Sequence, residues 1–148
     1  MEYKKIKPQK LVELTESDFR KIWDDEYCTQ QILTFDAIQV KFYSEMFDHC
    51  FFESADRKAK DKSILSLNRL EKIYWIKDTL QDPTSLLKQG WDNKNKAHDN
   101  ARRVAMVKGN YVVVISIYAE KKARFITAFQ IENEDNLKNF INGPNWLK

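Results

Sequence analysis

Glycine and proline are scarce, with three of each in 148 residues. That is too little for a collagen-like repeat, a flexible linker or a low-complexity chain. Two cysteines, Cys28 and Cys50, stand far apart without a CxxC pair or a His–Cys cluster. This argues for reduced thiols over a disulfide framework or a zinc site. There is no HExxH, and no carboxylate pair with a histidine at helical spacing, so no metal centre is expected. A serine hydrolase would need a GxSxG turn, which is absent. Gly90, Gly109 and Gly143 are isolated, so no glycine-rich loop cradles a nucleotide and no cofactor is implied. No long apolar run and no basic-apolar-small leader open the chain, which therefore reads as a soluble cytoplasmic protein without membrane contact. Charge of one sign is also lacking: 25 basic against 22 acidic residues leave a net +3, too small to identify a nucleic-acid partner by itself.

Apolar side chains make up 43% and aromatics 13%, enough for one folded domain over residues 1–148, with 1–10 a loose basic lead-in. The most insistent stretch is 103–131, RVAMVKGNYVVVISIYAEKKARFITAFQI, rich in β-branched and aromatic residues. Gly109-Asn110 and the polar run 119–122 divide it into three strands of an antiparallel meander. Residues 84–91 predict a strand before it, and the polar run 92–101, which contains His98, predicts a loop. The expected fold is α+β: helices followed by a four-stranded antiparallel meander and a short C-terminal helix.

Earlier in the chain, Phe19, Ile22, Trp23 and Tyr27 recur at helical spacing behind Thr15 or Ser17 as a cap. Residues 37–43 alternate, with Ile38, Val40 and Phe42 on one side, as in a half-buried strand. Ser44 is placed to cap a short helix in which Met46, Phe47, Cys50 and Phe51 share an apolar face and His49 projects from another flank. The stretch 55–63 is rich in lysine and arginine, either as a solvated loop or as one that meets a phosphate backbone. Residues 64–80 predict one long helix with Leu67, Leu70, Ile73, Tyr74 and Leu80 as its buried stripe. Arg69 and Lys72 then lie three apart on another face, as a surface pair balanced by Glu71 or a two-pronged phosphate clamp.

A two-residue turn at Gly109-Asn110 pairs Lys108 with Tyr111, Met106 with Val113 and Arg103 with Ser116. A turn at 119–122 would set Val114 opposite Thr127 and Ser116 opposite Phe125. One face then holds Val104, Met106, Val113, Ile115, Ile117, Ile126 and Ala128, with Arg102 and Arg124 at its end, as a core face. The other mixes Arg103, Ser116, Tyr118 and Thr127 with Phe125 and Phe129. Hydroxyls, an arginine and aromatic rings on one face suit RNA, although a partly exposed face with local hydrogen bonds explains them too.

The layout resembles the barnase–EndoU–colicin–RelE (BECR) group of small RNases, and within it the phage-associated branch. The resemblance lies in FDHCFFES (47–54), NRLEKIYWIKDTLQDP (68–83) and YVVVISIYAEKKARFITAF (111–129), about half of the chain. The run Arg124-Phe125-Ile126-Thr127-Ala128 is also similar to RelE-like and BrnT-type toxins. The resemblance implies a toxin-like or prophage-derived endoribonuclease, acting on tRNA or mRNA without metal and held by a neutralising antitoxin or immunity protein. In such chemistry the ribose 2′-hydroxyl attacks the adjacent phosphorus, and the protein supplies a base, an acid and positive charge. The implied catalytic set is His49, Arg69, Arg103 and Thr127, with Lys72, Ser116, Tyr118 and Lys108 as substrate contacts. An inactive relative that binds RNA or a protein through the same basic face is the alternative.

Overall fold

The computed structural model describes residues 3–53, 64–92 and 97–146, with side chains described except at 53, 90–92 and 97–103. The basic stretch 55–63 lies outside the described residues. Along the chain run helices α1 (Pro8–Leu11) and α2 (Glu16–Trp23), a π turn (Asp24–Cys28), strands β1 (Ile32–Leu33) and β2 (Gln39–Lys41), and helix α3 (Met46–Phe51). A small ladder of β3 (Phe52–Glu53) and β4 (Ile64–Leu65) follows, then α4 (Leu67–Leu70) and α5 (Trp75–Gln81). The second half is β5 (Leu86–Asp92), β6 (Ala97–Lys108), β7 (Tyr111–Ala119), β8 (Lys122–Gln130) and α6 (Glu134–Ile141). None of the described helices is long and apolar enough to cross a membrane.

The α+β class is observed, but the main sheet has six strands in the order β1-β2-β8-β7-β6-β5. This corrects the four-stranded meander: β5 to β8 are antiparallel neighbours, and β2 adds to β8 in parallel, with Lys41 opposite Arg124. Strands of two and three residues leave too short a pattern in sequence to announce a sheet. The alternation around β2 is nonetheless present, with Ile38, Val40 and Phe42 buried and Gln39 and Lys41 exposed. His98 belongs to β6, opposite Trp91, and not to a loop.

The β6–β7 register is the expected one: Lys108 faces Tyr111, Met106 faces Val113 and Arg103 faces Ser116. Gly109 holds the turn at φ 59°, a left-handed conformation that a residue without Cβ adopts at little cost. Across β7 and β8, Val114 faces Thr127 as expected, but Ile115 then faces Phe125 and Ser116 faces Arg124. Ile126 is an extra residue in β8, a bulge that inverts the side-chain alternation on its N-terminal side. Phe125 therefore enters the main core, fully buried, and Arg124 moves to the second face. A second irregularity leaves Tyr118 unpaired between Ile117 and Ala119.

The long helix expected over 64–80 is broken. Ile64 and Leu65 pair with β3, and the Ser66 amide donates to the Phe51 carbonyl at 2.8 Å. Ser66 also caps α4, its Oγ accepting from the Arg69 amide at 3.3 Å. A turn at 71–74 then separates α4 from α5 and shifts the buried stripe. Leu70, Ile73, Ile76 and Leu80 are sealed, whereas Leu67 and Tyr74 are exposed. At the other end of the core, Thr15 caps α2 through a reciprocal pair with Asp18, at 3.2 and 2.8 Å. Ser44 does not cap α3; its hydroxyl donates to Asp24 at 2.9 Å.

The second sheet face is partly covered. Ala105, Val107 and Val112 are buried beneath Phe140 and Ile131, with Phe129 and Val114 packed alongside. Beyond α6 the chain hooks round β5: Gln89 N donates to Pro144 O at 3.0 Å, Trp146 N to Leu87 O at 3.1 Å, and Lys88 Nζ to Asn145 Oδ1 at 2.6 Å. The hook caps an edge whose open backbone groups would otherwise invite another strand.

Asp82, at the end of α5, ties three distant segments. Its carboxylate accepts from Tyr3 Oη at 2.6 Å and from Thr84 N and Oγ1 at 2.8 and 2.7 Å, and lies 3.4 Å from Lys108 Nζ. These donors, Tyr3 first, hold the carboxyl well below the usual carboxylate range. A depressed carboxylate stabilises the folded state above the ordinary carboxylate pKa, and the contribution is lost as pH falls through the folded value. In urea melts, Asp82→Asn is expected to lower the midpoint at about pH 7, with a gap that starts to narrow only below about pH 4 and closes in stronger acid, where the folded carboxyl itself is protonated. A gap between the two proteins that stays constant with pH would overturn this.

Candidate functional site

A cavity of about 420 Å³ opens where α3 and α4 meet the ends of β7 and β8. That volume lies within the range of small-ligand sites. Its walls carry Ser66, Asn68, Arg69 and Lys72 from the α4 region and Tyr111, Gln130 and Glu132 from the sheet end. Tyr111 and Gln130 are cross-strand partners, so the β7–β8 register brings them together.

Lys72 was expected in the site but on the surface, and it is only 3% exposed. The break between α4 and α5 turns it inward. Burial of an ammonium is costly unless its hydrogen bonds are met. Here Nζ donates to Asn68 O at 2.9 Å and Asn68 Oδ1 at 2.7 Å, with Glu71 at 3.4 Å and the Trp75 ring at 5.8 Å. The charge is thus pinned to the wall. Arg69 is exposed, and its Nη1 donates to Cys50 O at 3.2 Å, which ties α4 to α3. Glu132, also exposed, supplies a carboxylate to the same cavity.

Tyr111 joins the lining from the start of β7. It is 4% exposed, with its ring edge-on to Trp75 at 5.3 Å. Burial keeps its hydroxyl protonated far above the usual phenol range, with smaller contributions from Cys50 and Tyr27 and an opposing one from Arg69.

Of the expected residues whose side chains are described, Arg69 and Lys72 line this cavity and the others do not. His49 is exposed on α3, immediately before the residue whose carbonyl holds Arg69. Thr127 is half-buried and opposite Val114, on the second sheet face. Arg103 and Ser116 face one another on that sheet, Ser116 half-buried. Tyr118 is exposed with the Arg124 guanidinium 5.2 Å from its ring, roughly 23 Å along β7 from Tyr111. It borders a smaller cavity of about 260 Å³, shared with Cys28, Lys41 and Lys122. Lys108 is engaged by Asp82 and Thr84. His98 is placed by its backbone in β6.

Sequence reasoning missed Tyr111, Gln130, Glu132, Ser66 and Asn68 as members of one site. Tyr111 and Gln130 sit where strands begin and end, and only the fold shows what packs there. The useful signal was Asn68-Arg69 with Lys72, polar residues recurring every three to four positions beside the core leucine Leu70. No protein-family model, curated protein or solved structure matches the chain.

Proposed function

We propose that the protein is a small cytoplasmic endoribonuclease of the barnase–EndoU–colicin–RelE kind, toxin-like or prophage-derived, whose phosphate site is the Arg69–Lys72 cavity. The observation that carries this reading is the pairing of a pinned, buried ammonium with an exposed guanidinium on one polar cavity of nucleotide scale. Two fixed positive charges are what a phosphate gaining charge in a transesterification requires. No metal is needed, because the ribose 2′-hydroxyl is the nucleophile. His49, next to the α3–α4 link, is the proton-transfer group in this reading, and Glu132 is the second carrier within the cavity. A neutralising partner protein would restrain the activity in the cell.

The test is incubation of the purified protein with total RNA and with tRNA in EDTA. Cleavage that falls sharply in Arg69→Ala is the expected result, and intact RNA at high protein excess would overturn it. A second reading is an RNA-binding relative without cleavage. It is favoured by the position of His49 and Thr127 off the cavity wall and by the bonds already made by Lys72. It requires RNA binding that weakens steeply with salt and leaves the strand intact.

A further inference from the structure

We propose that Tyr111 is a ligand-contacting residue that donates the hydrogen bond completing an oxyanion subsite with Arg69 and Lys72, the bound group being a phosphate. The inference rests on the phosphate reading of the cavity and adds a residue, a role and a direction of hydrogen bonding to it.

The Tyr111 side chain is more than nine-tenths buried and lines the cavity, yet its hydroxyl makes no hydrogen bond among the described residues. Tyr111 Oη is not among the enclosed side-chain atoms left without a partner, so it opens on the cavity, where a bound group can reach it. The buried Tyr27 and the half-buried Tyr3 show how this fold treats a phenol that serves packing. Tyr27 Oη donates to Ile73 O at 2.5 Å and accepts from Lys77 N at 3.0 Å, and Tyr3 Oη donates to Asp82 at 2.6 Å. Tyr111 has the apolar half of that arrangement, an edge contact with Trp75, and lacks the polar half.

The chemistry of the walls selects the class of ligand. Arg69 and Lys72 bring positive charge, and the buried phenol stays protonated, so it acts as a donor at any physiological pH. A donor flanked by two cations suits an anionic oxygen and offers little to a cation. Asn68 gives its Oδ1 to Lys72, which leaves its amide N–H groups as further donors. Glu132 is the one carboxylate among the described residues of the lining, so an anion with a protonated or hydroxyl-bearing flank fits better than a bare multivalent one. A phosphodiester of RNA and free inorganic phosphate share the required oxygens.

The test compares wild type with Tyr111→Phe, which deletes an oxygen without a hydrogen bond among the described residues and keeps the ring on Trp75. Two probes are titrated by calorimetry: inorganic phosphate, and an oligoribonucleotide with 2′-O-methyl sugars that cannot be cleaved. Thermal melts of both proteins accompany them. The expected result is binding of both probes about tenfold weaker in the variant, since a hydrogen bond to a charged group is lost. Its melting temperature should be equal to or higher than that of wild type. Binding unchanged in the variant would overturn the role of Tyr111 and leave the cavity reading intact. Absence of binding of either probe to wild type would overturn both. Weaker phosphate binding with unchanged oligonucleotide binding would assign the subsite to the free anion and overturn its role toward RNA. A lower melting temperature in the variant would mark the hydroxyl as structural and overturn the proposal.

Discussion

Arg69→Ala is expected to slow RNA cleavage about a hundredfold, the usual cost of removing one positioned group that stabilises transition-state charge. Arg69 is the exposed one of the two cations on the cavity, and among the described residues only its Nη1 is engaged, by Cys50 O. The rest of its fork is available to a phosphate oxygen, whereas Lys72 is held by Asn68 and Glu71. The bond to Cys50 is neutral on its acceptor side and worth about 1–3 kcal/mol, so the variant should fold. Single-turnover cleavage of labelled RNA, with circular dichroism as the control for folding, measures the effect. Arg69→Lys should recover part of the rate, because it restores charge without the planar fork. A rate within twofold of wild type in Arg69→Ala would remove the cavity from the mechanism. His49→Ala separates the roles: loss of a proton-transfer group costs about 10²–10⁴-fold and flattens the pH dependence of the rate.

Trp23→Ala is expected to cost about 4 kcal/mol, toward the upper end of large-to-small core substitutions. Trp23 is completely buried and its ring meets Tyr27 at 4.9 Å, Phe51 at 5.4 Å, Phe42 at 5.5 Å and Phe125 at 5.6 Å. Those partners come from the π turn, α3, the end of β2 and β8, so one side chain joins the helical layer to the centre of the sheet. Its Nε1 also donates to Tyr43 O at 3.0 Å, and truncation leaves that carbonyl without its donor. Neighbouring rings anchored on four elements cannot all collapse into the space, which is why the cavity cost should be near full. Domains of this size hold about 5–15 kcal/mol in total, so melting should fall by about 8–16 °C. Trp23→Phe should lose less than half as much. A loss below about 1 kcal/mol for Trp23→Ala would show that the aromatic cluster repacks freely.

The parts of the fold written in local pattern were legible. The Gly109-Asn110 turn set the β6–β7 register because a two-residue hairpin leaves little choice. The α2 cap and the alternation at Ile38, Val40 and Phe42 were visible for the same reason. Features that depend on distant partners were not. Nothing near Ile64 and Leu65 announces that β3 will claim them, and that claim breaks the expected helix and turns Lys72 inward. The Ile126 bulge exchanges the fates of Phe125 and Arg124, and its one trace in the sequence, the adjacent apolar pair Phe125-Ile126, equally fits a regular strand packed on both faces. Nor does an isolated reading of β6 and β7 reveal that α6 will settle over Val107 and Val112. Within the site, the Arg69–Lys72 pair was visible as charge at helical spacing, while Tyr111 resembled one more core aromatic.

The parallel pairing of β2 with β8 also constrains when the protein can fold during its synthesis. Lys41 lies opposite Arg124, so roughly 80 further residues must leave the ribosome before the second and the last strands of the chain, neighbours in the sheet, can meet. At about 5–20 residues per second that is a wait of several seconds, during which Ile38, Val40 and Phe42 have no sheet to cover. The N-terminal helices can pack their aromatic side chains together in that interval, but they cannot be completed. The nascent chain thus carries an uncovered apolar strand through most of its translation, and it is at this stage, more than in the finished fold, that a chaperone or a partner protein would find it receptive.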